Sequence, residues 1–329
     1  MSIANLDPEL RPTLEAYLAA GRRYDAEGLR VVREGMRALF AATPPVRPPS
    51  VRVEDVAIPG PDGDTELVVR VYRPPGTGAV PALYWMHGGG MTIGTIDMDD
   101  ALLASAVERL GLAAVSVEYR LAPEHPDPAP VEDCYTGLVW TAAHALELGI
   151  DPDRIAVGGP SAGGGLAAGT ALLARDRQGP HVAFQLLFEP MLDDRAITPS
   201  STAYEESVVW DRNANRYGWN ALLGDRAGTD AVSHYAAPAR ATDLSGLPPA
   251  FVDVGEIETF RDECIDYAQR LMMAGVSTEL HVYRGAVHGF DLMAADSIVA
   301  RVAWNLRWSA LARALGIEQP SFSDTGDEQ

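Results

Sequence analysis

The chain has 329 residues, 47% of them hydrophobic, enough to bury a sizeable core as one large α/β domain carrying insertions. Its net charge of −20 sets it against nucleic acid and anionic membranes, whose phosphates would repel it. All 26 basic residues are arginine, which excludes Ser-Lys hydrolases, Schiff-base and pyridoxal-phosphate enzymes and P-loops with their phosphate-binding lysine.

The opening MSIANLDPEL has neither a basic start nor an apolar stretch of signal-peptide type, and no run of about 18 apolar residues occurs, so a cytoplasmic protein is expected. Only Cys134 and Cys264 are present, too few for a disulfide framework or a four-cysteine metal site, and two reduced thiols are expected.

The first 42 residues read as helices, with Leu10, Leu14 and Leu18 at four-residue spacing and Leu29, Val32, Met36, Leu39 and Phe40 on one face. TPPVRPPS (residues 43–50) then breaks the pattern. Strands VRVEDVAI, ELVVRVYR and PALYWMH follow, then a helix over 98–110, the strand AAVSVEY, a helix over 131–148, the strand RIAVGG, a helix after Ser161 and the strand VAFQLLF. This is the rhythm of a mostly parallel sheet covered by helices. It pauses over 191–247, where VVWDRNANRYGWNALLG reads as a helix with Asp211 as N-cap, and that segment reads as an insertion. The alternation resumes with the strand PAFVDVG, a helix from Asp262, the strand TELHVYR and a last helix to Leu315 before a polar, frayed tail.

Three motifs lie on this framework. Gly159-Pro160-Ser161-Ala162-Gly163 is G-x-S-x-G between a strand and a helix, where glycines close a tight turn and hold the serine exposed and strained. Gly163 to Ala168 also fits G-x-G-x-x-A, with Glu189 roughly where a ribose-binding acid would stand in a dinucleotide fold. Against that reading, the first glycine falls inside the following helix instead of directly after the strand. HGGG, residues 87–90, follows the strand ALYWM, and its glycines can present unshielded N–H groups in one small volume. YRGAVHGF places His288 in a turn after the last strand, where a base for a serine hydroxyl is needed.

With these motifs in this order, the chain resembles the bacterial hormone-sensitive-lipase-like esterases of the α/β-hydrolase superfamily. The similarity covers residues 81–290 and is carried by HGGG, VEYRLAPEHPDPAPVED, DPDRIAVGGPSAGGGLAA, LPPAFVDVGEIETFRDE and YRGAVHGF. It implies an α/β-hydrolase fold, a mostly parallel central sheet flanked by helices with a helical cap. Residues 1–50 would give N-terminal cap helices and a linker, 51–190 and 248–329 the two parts of the hydrolase core, and 191–247 the cap insertion.

By the same resemblance the protein is a serine carboxylesterase for short-chain acyl esters, working through an acyl-enzyme without metal or cofactor. Ser161 is the nucleophile, His288 the general base, and the backbone amides of Gly88, Gly89 and Ala162 form the oxyanion hole. A small-molecule ester is the expected partner, and a homodimer is compatible with the family. Two departures stand out. Pro160 replaces an acidic residue common before the serine, and Glu258 occupies the position of the family's usual aspartate, one methylene longer but able to do the same job. Asp253 inside its strand, Glu256 at the strand end and Asp262 at a helix start compete with Glu258 for the acid role. Gibberellin receptors resemble this family without hydrolysing esters, so a non-catalytic binding protein is the alternative from another class.

Overall fold

The computed structural model describes residues 3–318 apart from 22, 77, 206 and 207; residues 319–329, most of the tail read as frayed, lie outside the described residues. In chain order come α1 (Arg11–Ala19), α2 (Ala26–Ala42), β1 (Arg52–Pro59), β2 (Glu66–Arg73), β3 (Val80–Met86), α3 (Asp100–Leu110), β4 (Ala113–Glu118), α4 (Ala129–Ala143), β5 (Ile150–Pro160) and α5 (Ala162–Asp176). They continue as β6 (Phe184–Phe188), α6 (Pro199–Ala203), α7 (Arg212–Leu223), β7 (Ala250–Ile257), α8 (Arg261–Met273), β8 (Thr278–Val287), α9 (Phe290–Met293) and α10 (Ile298–Ala314).

The strands form one eight-stranded sheet in the order β1-β2-β4-β3-β5-β6-β7-β8. β1 and β2 pair antiparallel, as do β2 and β4, and every later pair is parallel. The central strands are apolar on both faces because both are covered. Along β3, Leu83 and Trp85 face one helical layer with Leu103 and Val107 of α3 and Trp308 and Leu311 of α10. Ala82, Tyr84 and Met86 face the other, with Leu138 of α4, Leu166 and Leu172 of α5 and Leu271 of α8. That alternation is the two-residue period of the strand. No helix of the described residues is long and apolar enough to cross a membrane.

The structure moves several of the sequence boundaries. α4 stops at Ala143, and Gly149, with φ +68°, turns the chain into β5, which begins at Ile150 because that residue pairs with Val80. The helix read within residues 208–224 begins at Arg212, directly after its expected N-cap Asp211, which accepts from the Ala214 N–H at 2.9 Å. The apolar face expected of α2 is half used: Leu29 is buried, whereas Leu39 is 59% exposed. α2 is held by polar contacts, Arg33 donating to the carbonyls of Thr92 and Ala122, and just before the helix Tyr24 donates to Asp211. Both cysteines are buried free thiols.

Arg307 on α10 is fully buried. It donates to Asp253 from Nε at 2.6 Å and pairs with Asp291, and its guanidinium lies 4.0 Å from the Phe188 ring centroid. Removing one partner of such a group strands buried charge. Arg307→Met is therefore expected to cost about 3–5 kcal/mol in urea unfolding, and a loss below about 1 kcal/mol would show that the two carboxylates find other partners.

Candidate active site

Sheet register assembles the site. Pro160 pairs with Phe188 and Ile257 with Val287, so the residues that follow, Ser161, Glu189, Glu258 and His288, gather at the carboxyl edge of four adjacent parallel strands, where open α/β sheets form their clefts. Gly88 follows the neighbouring β3 at the same edge.

Ser161 has φ 56° and ψ −120°, a conformation costing of order 1–3 kcal/mol that only surrounding structure maintains. Its N–H donates to the Phe188 carbonyl at 2.7 Å, and its own carbonyl accepts from Met191 at 2.9 Å. Glycine is required on both sides, because a Cβ at Gly159 or Gly163 would overlap the Met86 carbonyl oxygen. The same close approach accounts for the glycine run in α5: side chains at Gly165 and Gly169 would strike the carbonyls of Met191 and Tyr235. These glycines therefore serve helix packing, which removes the basis for the dinucleotide reading.

His288 Nε2 lies 3.0 Å from Ser161 Oγ, and Nδ1 lies 3.1 Å from Glu258 Oε1. Glu258 is fully buried, and its second oxygen accepts the Gly255 N–H at 2.9 Å across the irregularity at the end of β7. The competing carboxylates are engaged elsewhere. Asp253 pairs with Arg307 and accepts from Tyr283; Glu256 accepts the Gly285 N–H at 2.8 Å. Asp262 does not cap α8: it accepts the Ser200 N–H at 2.8 Å, in the first turn of α6, and pairs with Arg261.

Gly88, Gly89 and Ala162 flank the serine. A Cβ at Gly88 would lie 3.6 Å from that of Ser161, and Ala162 opens α5, whose amino-terminal dipole points at the hydroxyl. Among the described residues the N–H groups of all three have no hydrogen-bond acceptor within the loop network. His87 shapes this loop: its Nδ1 lies 2.8 Å from the Gly88 carbonyl and its ring stacks on Tyr119 at 4.2 Å. Burial pushes its pKa down to about 4, which makes it a poor proton acceptor, and its contacts are to Gly88 and Tyr119, whereas His288 is the histidine at Ser161.

Glu189 was not read as part of this site. Its backbone has φ 45°, its Oε2 accepts the Gly289 N–H at 2.6 Å and lies 3.2 Å from His288 Nδ1, and its Oε1 is buried without a partner. Burial holds its carboxyl well above the usual carboxylate range, reinforced by Glu258 and Asp291 and opposed by Arg307 and the Gly289 N–H. Glu189, Glu258 and His288 offer atoms within 4.8 Å of one another, as metal ligands would. The second imidazole nitrogen is directed at Ser161 Oγ and one oxygen of each carboxyl is taken by an amide, an arrangement suited to a proton relay.

A family model described as alpha/beta hydrolase fold matches residues 83–292. The carboxylesterase NlhH of Mycobacterium tuberculosis is 38% identical over 314 residues, covering 94% of this chain and 97% of its own length. The arylesterase of Saccharolobus solfataricus is 34% identical, covering 87% and 92%. The structure of a bacterial heroin esterase superimposes with a TM-score of 0.89 at 44% identity, over 96% of this chain and 99% of its own. The chain belongs to the hormone-sensitive-lipase-like esterases of the α/β-hydrolase superfamily.

Proposed function

We propose that Ser161 is the nucleophile of a serine carboxylesterase, with His288 its general base, Glu258 the triad acid and the amides of Gly88, Gly89 and Ala162 its oxyanion hole. The observation that carries the assignment is His288 standing at hydrogen-bond distance from Ser161 on one nitrogen and from Glu258 on the other. A serine hydroxyl is a poor nucleophile until a base takes its proton as it attacks. His288 Nε2 accepts that proton while Glu258 holds Nδ1 as the donor and stabilises the imidazolium. The carbonyl oxygen becomes negative among three N–H donors, the alcohol leaves with the proton from His288, and water then releases the acid from the acyl-enzyme by the same route.

The substrates are small esters, and the acyl group is short. Trp210 supports that limit: its ring lies where a side chain on Gly90 would be, and its centroid is 6.5 Å from that of His288. The helices within 1–50 and the segment 191–247 cover the cleft as a cap, joined where Tyr24 reaches Asp211. The charge of −20 disfavours nucleic acid and anionic membranes as partners, in keeping with a cytoplasmic enzyme.

Rates across p-nitrophenyl esters test the reading. Butyrate is expected to exceed dodecanoate by about tenfold or more in kcat/KM, since one misfitting methylene already costs roughly tenfold. Trp210→Ala should narrow that gap by admitting longer chains. Dodecanoate as the better substrate of the unaltered enzyme would contradict the acyl limit, and no hydrolysis of any ester would contradict the activity.

A further inference from the structure

We propose that Glu189 and Glu258 form a carboxyl pair sharing one negative charge against His288, so that Glu189 is a positioning residue that assumes the acid's role when Glu258 is neutralised. The inference rests on the reading of His288 as the base for Ser161.

Two carboxyls face one ring nitrogen at nearly equal distances, 3.1 Å for Glu258 and 3.2 Å for Glu189. Only Glu258 lies along the N–H direction as a hydrogen-bond acceptor. Like charges this close repel strongly in a buried site, so one shared negative charge is favoured over two. Alignment with the ring, together with the Gly255 N–H on its other oxygen, leaves the charge with Glu258. Glu189 is then the uncharged member, consistent with its raised pKa and with only one of its oxygens being engaged.

Glu189 is also fixed in place. Its left-handed φ is locked by its own N–H donating to the Asp253 carbonyl at 2.8 Å, and its carboxyl holds the Gly289 amide beside the histidine. The charged and titratable groups around it are Glu258 from the end of β7, Asp253 within β7, Cys264 on α8, Tyr283 on β8, His288 after β8, Asp291 on α9 and Arg307 on α10. Neutralising Glu258 removes a repulsion that keeps Glu189 protonated, while Arg307 remains to favour its ionised form. A carboxylate then still stands 3.2 Å from Nδ1.

The test is a double-variant cycle on the full chain with p-nitrophenyl butyrate, using amides that conserve shape. Glu258→Gln is expected to lose about a hundredfold in kcat at neutral pH, short of the roughly ten-thousandfold known for loss of a triad acid elsewhere. Glu189→Gln alone is expected to lose about fivefold, and the double variant about ten-thousandfold, well beyond the product of the two. A pH profile supplies a second readout that a purely structural glutamate would not move. In Glu258→Gln the acid limb should shift to higher pH, because activity then awaits ionisation of Glu189, whose burial, the largest cause of its raised pKa, is unchanged by the substitution.

A double variant no worse than Glu258→Gln, or an acid limb that stays or moves to lower pH in Glu258→Gln, would overturn the pair. Should the double variant fail to fold by near-ultraviolet circular dichroism, the profile of Glu258→Gln decides alone. Near-normal turnover in Glu258→Gln with collapse in Glu189→Gln would also overturn it, making Glu189 the acid itself. Phosphonate labelling of Ser161 in the unaltered chain separates either failure from failure of the serine assignment.

Discussion

Replacing Ser161 with alanine is expected to lower kcat for p-nitrophenyl butyrate by about a millionfold, the scale seen when a triad serine is removed from a protease, while the melting temperature changes little. The hydroxyl supplies the bond-forming oxygen, and nothing nearby can substitute for it. Both cysteines are buried, with their thiol pKa pushed up by burial, so neither offers a thiolate. The fold survives because the backbone fixing the turn, from Ser161 N–H to Phe188 and from Met191 to the Ser161 carbonyl, does not involve the side chain. Substrate binding should persist, since the oxyanion amides and cleft are intact. Retention of more than about one per cent of turnover would remove Ser161 from the mechanism.

The second large effect is expected at His288. His288→Asn keeps a polar side chain in the turn but cannot take the serine proton, and kcat should fall by about 10⁴–10⁶. The informative measurement is the combination with Ser161→Ala. Residues that act as a unit are not additive, so the double variant should be no slower than Ser161→Ala alone. Losses that multiply would assign the base to another group.

Much of this architecture is legible in the sequence because its signals are local. The strands around Leu83 and Val157 are apolar runs ended by glycine, and Asp211 declares its helix through a cap. Ser161 and His288 can be found because each sits in a glycine-flanked turn after a strand. Glu258 is different: nothing local separates it from Glu256 or Asp262, and the resemblance to an aspartate position singled it out. The structure adds the reason the others do not converge on His288, since Glu256 is held by Gly285 and Asp262 by Ser200 and Arg261.

Glu189 illustrates what such reading misses. It is an acid at a strand end that the sequence connects only with a ribose-binding position, and its relation to His288 arises only because β6, β7 and β8 lie side by side. That adjacency spans about a hundred residues of chain, so no spacing rule discloses it. α2 errs in the opposite direction. Its periodic leucine and valine positions imply a buried face, but ion pairs and carbonyl contacts hold the helix and leave Leu39 in solvent.

The central claim, that Ser161 is an activated nucleophile forming a covalent acyl-type intermediate, is tested most directly by intact-protein mass spectrometry after titration with a p-nitrophenyl phosphonate. One adduct per chain is expected, mapping to Ser161 by peptide sequencing, with activity falling in proportion to the adduct formed. An adduct on any other residue, or activity lost with Ser161 unmodified, would contradict it.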